Sequence, residues 1–518
     1  MKKWKFTRTY AWIVATLAIV GGSSLSRVAA ADIRSGPSVP AMSIDARRDI
    51  ERRVDEIANR IANSKSYFED DHLPIHIKSS FDPVAQSLVM AIDERFGPVS
   101  GYVEMENLQS DITNAIWPML ENIHGFWGLD WRYGGKDLYF WFPGDRRPAE
   151  KSTRPSAGAG VGLGTVLINE GHGYYFHHGY SDWRFQRDPA NGIIEDKITA
   201  EIATPLWAWM GVAGILAKSA REATFGNHDP SGKPLYLMAA RYLLEKSFPD
   251  RPDIWHSLPD DVSDLREYKE DIRSRPLYAN ALGVDGMISI HTNADIDAST
   301  HGTRVFVQPD RPESAELASM ALCYMREHIH ANKQYADFSI ARTPQFADKG
   351  ENRLANMPAI IVELGFHTNA SDAAALKDPV FVASAMRGLT KGYRLFREGE
   401  RCQDLEIELP PRAEGVVGEV TNIELTWKGH PDFPMDINAE GGWGMVLEDN
   451  AGKRADLNFM CTEEDVAKSP FALKVTARDF AGIESKPVEV MVTCANPAKT
   501  AIASDFSSHL RAFVGRHR

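Results

Sequence analysis

Residues 165–173 read Thr165-Val166-Leu167-Ile168-Asn169-Glu170-Gly171-His172-Gly173, an apolar run too short for a helix that ends in polar residues and a histidine between two glycines. Two later stretches follow the same plan. Met287-Ile288-Ser289-Ile290 leads into His291-Thr292-Asn293-Ala294, and Ala359-Ile360-Ile361-Val362 leads into Glu363-Leu364-Gly365-Phe366. Short apolar runs of this kind fit strands buried on both faces of a sheet. Thr303 to Val307 reads as a further strand, and the segments from about Ile194, from Ser314 to Ile329 and from Val380 to Phe396 read as helices. This alternation predicts an α/β domain over residues 165–400, its sheet covered by helices on both faces. The polar residues that close the strands then fall at the carboxyl edge of the sheet, where open α/β folds place their sites.

Outward from this domain the pattern changes. Residues 148–164 dissolve into Pro, Ser, Ala and Gly and read as a linker. Before it, residues 32–147 read as a mixed α/β accessory region after a flexible lead-in. Ile50, Val54, Ile57, Ala58 and Ile61 recur at helical spacing, Val84 to Phe96 predicts a second helix, and Val99 to Val103 and Leu138 to Phe142 read as short strands. Gly134-Gly135 marks a hairpin turn. After Pro410-Pro411 the runs Val420–Trp427, Trp443–Leu447, Asp456–Met460, Ala472–Ala477 and Val488–Val492 predict a β-sandwich of immunoglobulin or fibronectin type over residues 410–496.

Residues 1–31 hold Lys2, Lys3, Lys5, Arg8 and Arg27 without an acidic residue, an apolar stretch from Ala11 to Val20, and Ala29-Ala30-Ala31 before Asp32. That is the form of a cleaved signal peptide, so the chain is expected to be exported, periplasmic or extracellular; an uncleaved anchor is the competing reading. The net charge of −13 makes non-specific nucleic-acid binding unfavourable. Four cysteines in 518 residues are too few for a disulfide scaffold. If the runs near Cys461, Ala477 and Cys494 are three successive antiparallel strands, Cys461 and Cys494 meet at one end of the sandwich, and Cys402 is free or pairs elsewhere.

No Cys-x-x-Cys or Cys/His finger spacing occurs, so any metal must be held by His and carboxylates. Gly-His-Gly alone reads as a turn histidine. Glu195, in Gly192-Ile193-Ile194-Glu195-Asp196-Lys197, alone reads as an acidic helix start. Together with His291 and Glu363 they supply what a catalytic zinc site requires: three ligands, an open position and a free carboxylate.

These ordered motifs, with Arg275 and Ala279-Asn280 before the histidine strand and Met357-Pro358-Ala359 before the glutamate strand, resemble the zinc-dependent N-acetylmuramoyl-L-alanine amidases, in their type 3 catalytic domain. The resemblance covers about Thr165 to Arg397. It implies Zn2+ held by His172, Glu195 and His291, Glu363 as general base and acid, and peptidoglycan or its fragments as the partner. The bond that the resemblance implies is cut is the amide between N-acetylmuramic acid and L-alanine. Two features depart from the family. Asn169-Glu170 stands where it usually has Asp-Pro, and an aromatic stretch (Tyr174, Tyr175, Phe176, Tyr180, Trp183, Phe185) lengthens the path from His172 to Glu195. An insertion from about Ala217 to Glu270 is also large; the aromatic loop is expected to form one wall of the cleft, and the insertion, with Asp260, Asp261, Asp264, Glu267, Glu270 and Asp271, another. His177 or His178 is the alternative to Glu195 as a ligand. His301, His330 and His367 read as surface or supporting residues, Arg353 as solvated or substrate-facing, and Trp427 and Trp443 as sandwich core or sugar platforms. The competing functions are a zinc exopeptidase or carboxypeptidase on peptides and a non-catalytic wall-binding protein.

Overall fold

The computed structural model describes residues 37–64, 67, 74–97, 102–147, 163–221, 226–309, 311–440, 443–450 and 452–497. The expected signal peptide, most of the expected linker and the Trp443 side chain lie outside what is described.

In the N-terminal unit, α1 (Ile44–Ala62) starts at Ser43, whose hydroxyl accepts the Ala46 N–H, and buries Val54, Ala58 and Ile61 as its spacing predicts. The next segment corrects the sequence reading. Val84 is 93% exposed, and the apolar residues after it belong to a strand, β2 (Ser87–Ile92), paired antiparallel with β1 (Ile77–Asp82). Leu88, Met90 and Ile92 alternate into the core, a period-2 pattern that Val84 disguised as helical spacing. Of the strand expected from Val99 to Val103, residues 99–101 lie outside the described residues, and Tyr102 and Val103 begin a 19-residue helix, α2 (Tyr102–Leu120). β3 (Leu129–Tyr133) pairs with β2. Gly134 and Gly135 do turn the chain with positive φ, but Leu138–Trp141 then forms a helical turn rather than a returning strand.

The central domain is the predicted α/β sheet. Its strands are β4 (Thr165–Glu170), β5 (Leu216–Ser219), β6 (Gly286–Asn293), β7 (Arg304–Val307), β8 (Gln345–Phe346) and β9 (Ala359–Phe366), ordered β8-β7-β9-β6-β4-β5. β5, β4, β6 and β9 run parallel, and β7 is antiparallel to β9. Successive strand residues serve opposite faces. Val166, Ile168, Ile288, Ile290 and Val362 pack against α3 (Glu195–Val212), α6 (Pro312–His330) and α7 (Pro379–Glu398). Leu167, Met287 and Ala359 join a second cluster with Ala240 of α4 (Ala240–Ser247) and Ala279 of α5 (Arg266–Leu282). The large insertion thus supplies the edge strand β5 and helix α4.

The C-terminal domain is two facing sheets. One joins β10 (Glu406–Glu408), β12 (Val420–Lys428) and β15 (Arg454–Met460). The other joins β11 (Arg412–Val416), β13 (Met435–Ala439), β14 (Trp443–Leu447), β16 (Phe471–Arg478) and β17 (Val488–Ala495). Trp427 is buried in this core, which answers its ambiguity in favour of packing. Cys461 and Cys494 are bridged with Cα atoms 5.8 Å apart, but not as successive strands of one sheet. Cys461 follows β15 of the first sheet and Cys494 lies on β17 of the second, so the bond fastens the two sheets together. Cys402 pairs with Cys323 of α6, tying the sandwich lead-in to the central domain.

Candidate functional site

The carboxyl ends of β4, β6 and β9 bring His172, His291 and Glu363 together, and α3 starts at the same place with Glu195. His291 and Glu363 stand opposite each other in the parallel register of β6 and β9. The Gly-His-Gly turn is required by sterics. A Cβ on Gly171 would meet the His291 ring at 2.4–2.7 Å, and one on Gly173 would meet the Ala239 backbone at 2.5 Å. Between them His172 takes φ +61°, a left-handed conformation that costs a non-glycine residue of the order of ~1 kcal/mol and that functional sites retain.

Among the described residues, one group of three ligating side chains converges, and it is His172, Glu195 and His291, all buried. His172 Nε2, His291 Nδ1 and Glu195 Oε1 form a nearly equilateral triangle with sides of 3.2, 3.2 and 3.3 Å. A tetrahedral zinc site with bonds of ~2.0 Å has ligand-to-ligand edges of roughly 3.3 Å. The outer nitrogens fix the tautomers. His172 Nδ1 lies 2.9 Å from Gln186 Oε1, and Gln186 Nε2 donates to Asp271 Oδ2 at 2.8 Å, which turns the amide oxygen towards the ring. His291 Nε2 lies 3.2 Å from Glu351 Oε2. Both outer nitrogens therefore carry hydrogen, and two lone pairs and a carboxylate oxygen face one point. A cation is the partner that such a donor set fits.

The surrounding charges act in opposite directions on the two rings. Burial and nearby Arg187 push the His172 imidazole down to about 3, keeping it neutral. Burial opposes charge on His291 too, but Glu351 and Glu195 outweigh it and raise the ring to about 10. Glu195, also an acceptor for the Thr292 N–H at 3.0 Å, is held well below the ordinary carboxylate range by the two histidines despite its burial. Glu363 differs. Its Oε2 is buried without a hydrogen-bond partner among the described residues, and burial pushes the carboxyl up to about 7. A carboxylate poised there can exchange protons near neutrality.

Several supporting residues had no sequence signal. Asp196, beside Glu195, accepts the N–H groups of Gly173, Gln186 and Arg187 at 2.9, 2.7 and 3.1 Å and so closes the aromatic loop onto the helix start. Arg187 places Nε 3.8 Å from Glu195 Oε2 and bonds the Tyr268 hydroxyl. Helix α2 packs against the same edge. Its Glu106 accepts the Gly350 N–H at 2.9 Å, Ser110 accepts from Lys349, and Asn114 meets Asn293 at 3.1 Å and accepts from Arg304 at 2.9 Å.

Other candidates fall elsewhere. His178 pairs with Glu267 at 2.8 Å, and His177 packs beside the Tyr175 and Tyr180 rings, so neither joins the His172, Glu195 and His291 cluster. His367 supports the site through Thr292 Oγ1 at 3.0 Å. Arg353 is fully buried and paired with Asp348 at 2.8 Å, neither solvated nor facing a cleft. Of the acids in the insertion, Glu267 and Glu270 bind Arg241, and Asp271 binds Arg275.

The family model of N-acetylmuramoyl-L-alanine amidase matches residues 166–393, which contain all four site residues. No curated protein matches the chain significantly. Solved structures similar to it include the CwlD amidase from Clostridioides difficile, in complex with the GerS lipoprotein (16% identity, 46% of this chain and 100% of that one, TM-score 0.33). The amidase AmiC2 of Nostoc punctiforme gives 17% identity, 45% and 97% coverage and a TM-score of 0.30. Ami1 from Mycobacterium smegmatis gives 16% identity, 47% and 100% coverage and a TM-score of 0.30. The family match falls on the central α/β domain, so residues 166–393 form a domain of the N-acetylmuramoyl-L-alanine amidase type, an amide-hydrolysing class of enzyme.

Proposed function

We propose that the protein is exported and cleaves the amide between the lactyl group of N-acetylmuramic acid and L-alanine, with zinc held by His172, Glu195 and His291 and with Glu363 as general base and acid. The observation that carries this reading is the ligand triangle, with both imidazoles turned inward by acceptors on their outer nitrogens. When bound there, zinc would polarise the scissile carbonyl and acidify water.

The remaining work belongs to the protein. Glu363, unpartnered at Oε2 and raised to about 7, takes a proton from the attacking water and gives it to the amide nitrogen as the carbon–nitrogen bond breaks. The products are a free lactyl carboxylate and a free L-alanine amine, so atoms balance without a covalent enzyme intermediate. His172 and His291 are held in orientation through Gln186 and Glu351.

The test is a pair of variants. His291→Ala should lose zinc stoichiometry in metal analysis. Glu363→Ala should keep zinc and fold but lose ~10²- to 10⁴-fold in turnover of isolated sacculi at matched zinc occupancy. Full zinc retention by His291→Ala, or equal turnover by Glu363→Ala, would contradict the assignment.

A further inference from the structure

Glu351 stands outside the motifs read from the sequence, on a helical turn (Gly350–Arg353) between β8 and β9. It is buried, and its two oxygens have three partners. Oε1 accepts from Arg275 at 2.5 Å, while Oε2 accepts from Asn169 Nδ2 at 2.8 Å and lies 3.2 Å from His291 Nε2. Two of these partners have alternatives. Arg275 also pairs with Asp271, and Asn169 Nδ2 also reaches Ser289 Oγ at 2.8 Å. Among the described residues the outer nitrogen of His291 has no other partner.

We infer that Glu351 is a positioning residue: by accepting the Nε2–H of His291 it holds the ring with Nδ1 turned onto the metal and strengthens that nitrogen as a ligand. This rests on the ligand set proposed above. A carboxylate on the far side of a metal-bound imidazole fixes its tautomer and raises its basicity, and losing such a partner weakens metal binding ~10- to 100-fold. Position 169 makes the arrangement possible. Its amide donates to Glu351, whereas an aspartate, the residue that the resemblance leads one to expect there, would set a second carboxylate against it. The turn is itself braced, by the Gly350 N–H to Glu106 Oε1 at 2.9 Å and by Asn352 Nδ2 to the Phe306 carbonyl at 3.0 Å. A chain of contacts thus runs from α2 of the N-terminal unit to a metal ligand.

The experiment is the zinc dissociation constant of the full chain, measured by chelator competition, for wild type, Glu351→Ala, Glu351→Gln and His291→Ala. Circular dichroism of the metal-free proteins checks folding. Glu351→Ala should bind zinc ~10- to 100-fold more weakly. Glu351→Gln should fall between, because its amide oxygen still accepts the bond without the charge, and its Co2+-loaded form should show a shifted visible spectrum. A folded Glu351→Ala with wild-type affinity would overturn the inference; if that variant does not fold, wild-type affinity in Glu351→Gln would do the same. His291→Ala separates the two levels. Full zinc in His291→Ala defeats the ligand set, whereas lost zinc there with unchanged affinity in the Glu351 variants defeats only the role of Glu351.

Discussion

At the scale of single residues the site depends on space as much as on charge. Gly171 leaves room for the His291 ring, and any side chain there would have to push the ligand aside. Gly171→Ala is therefore expected to fold but to bind zinc at least ~10-fold more weakly, because a misplaced ligand costs affinity much as a lost supporting partner does. Metal titration of the variant checks this, and unchanged affinity would show that the ring can shift at no cost. The residues of the His172, Glu195 and His291 cluster were legible in the sequence, since each closes an apolar strand or opens a helix, where a bland core would not place a histidine or a carboxylate. Glu351, Asp196 and Arg187 were not, because their roles follow from which side chain they face across the fold and no spacing along the chain encodes that.

At the scale of elements, the strands of the central sheet were readable because burial on both faces makes each of them a plain apolar run. The N-terminal unit was harder. Its β2 is a half-buried strand preceded by the exposed Val84, and α2 divides its side between its own core (Leu108, Ile112, Ile116) and polar contacts with the central domain (Glu106, Ser110, Asn114), so neither shows a clean period. The docking of α2 carries a prediction. Burial pushes Glu106 up to about 7 and Asp348 likewise to about 7. A carboxyl whose folded value lies above its unfolded one binds its proton more tightly in the folded state. That stability is full below the unfolded value of ~4.5 and is lost as pH rises towards 7. Glu106→Gln, still able to accept the Gly350 N–H, should remove part of this dependence: its melting temperature relative to wild type should rise between pH 5 and pH 8, by an amount of the order of ~1–3 kcal/mol in stability. Thermal melts across that range decide it, and parallel curves would show that Glu106 does not titrate there.

At the scale of the whole molecule, two disulfides add covalent ties to the packing. The Cys323–Cys402 bond closes 79 residues and anchors the sandwich lead-in to α6, and the Cys461–Cys494 bond closes 33 residues across the two sheets. Replacing Cys461 and Cys494 by serine should cost the sandwich ~2–4 kcal/mol while leaving zinc stoichiometry unchanged, as calorimetry and metal analysis on the same sample would report. Loss of zinc in that variant would mean that the sandwich supports the site. The proposed activity comes down to one bond. Mass spectrometry of intact peptidoglycan digested by the zinc-loaded protein should find stem peptides with a free L-alanine amine and glycan strands with free lactyl carboxylates. Stem peptides still attached to the glycan but shortened from their carboxyl ends would contradict it, and would make the protein a peptidase.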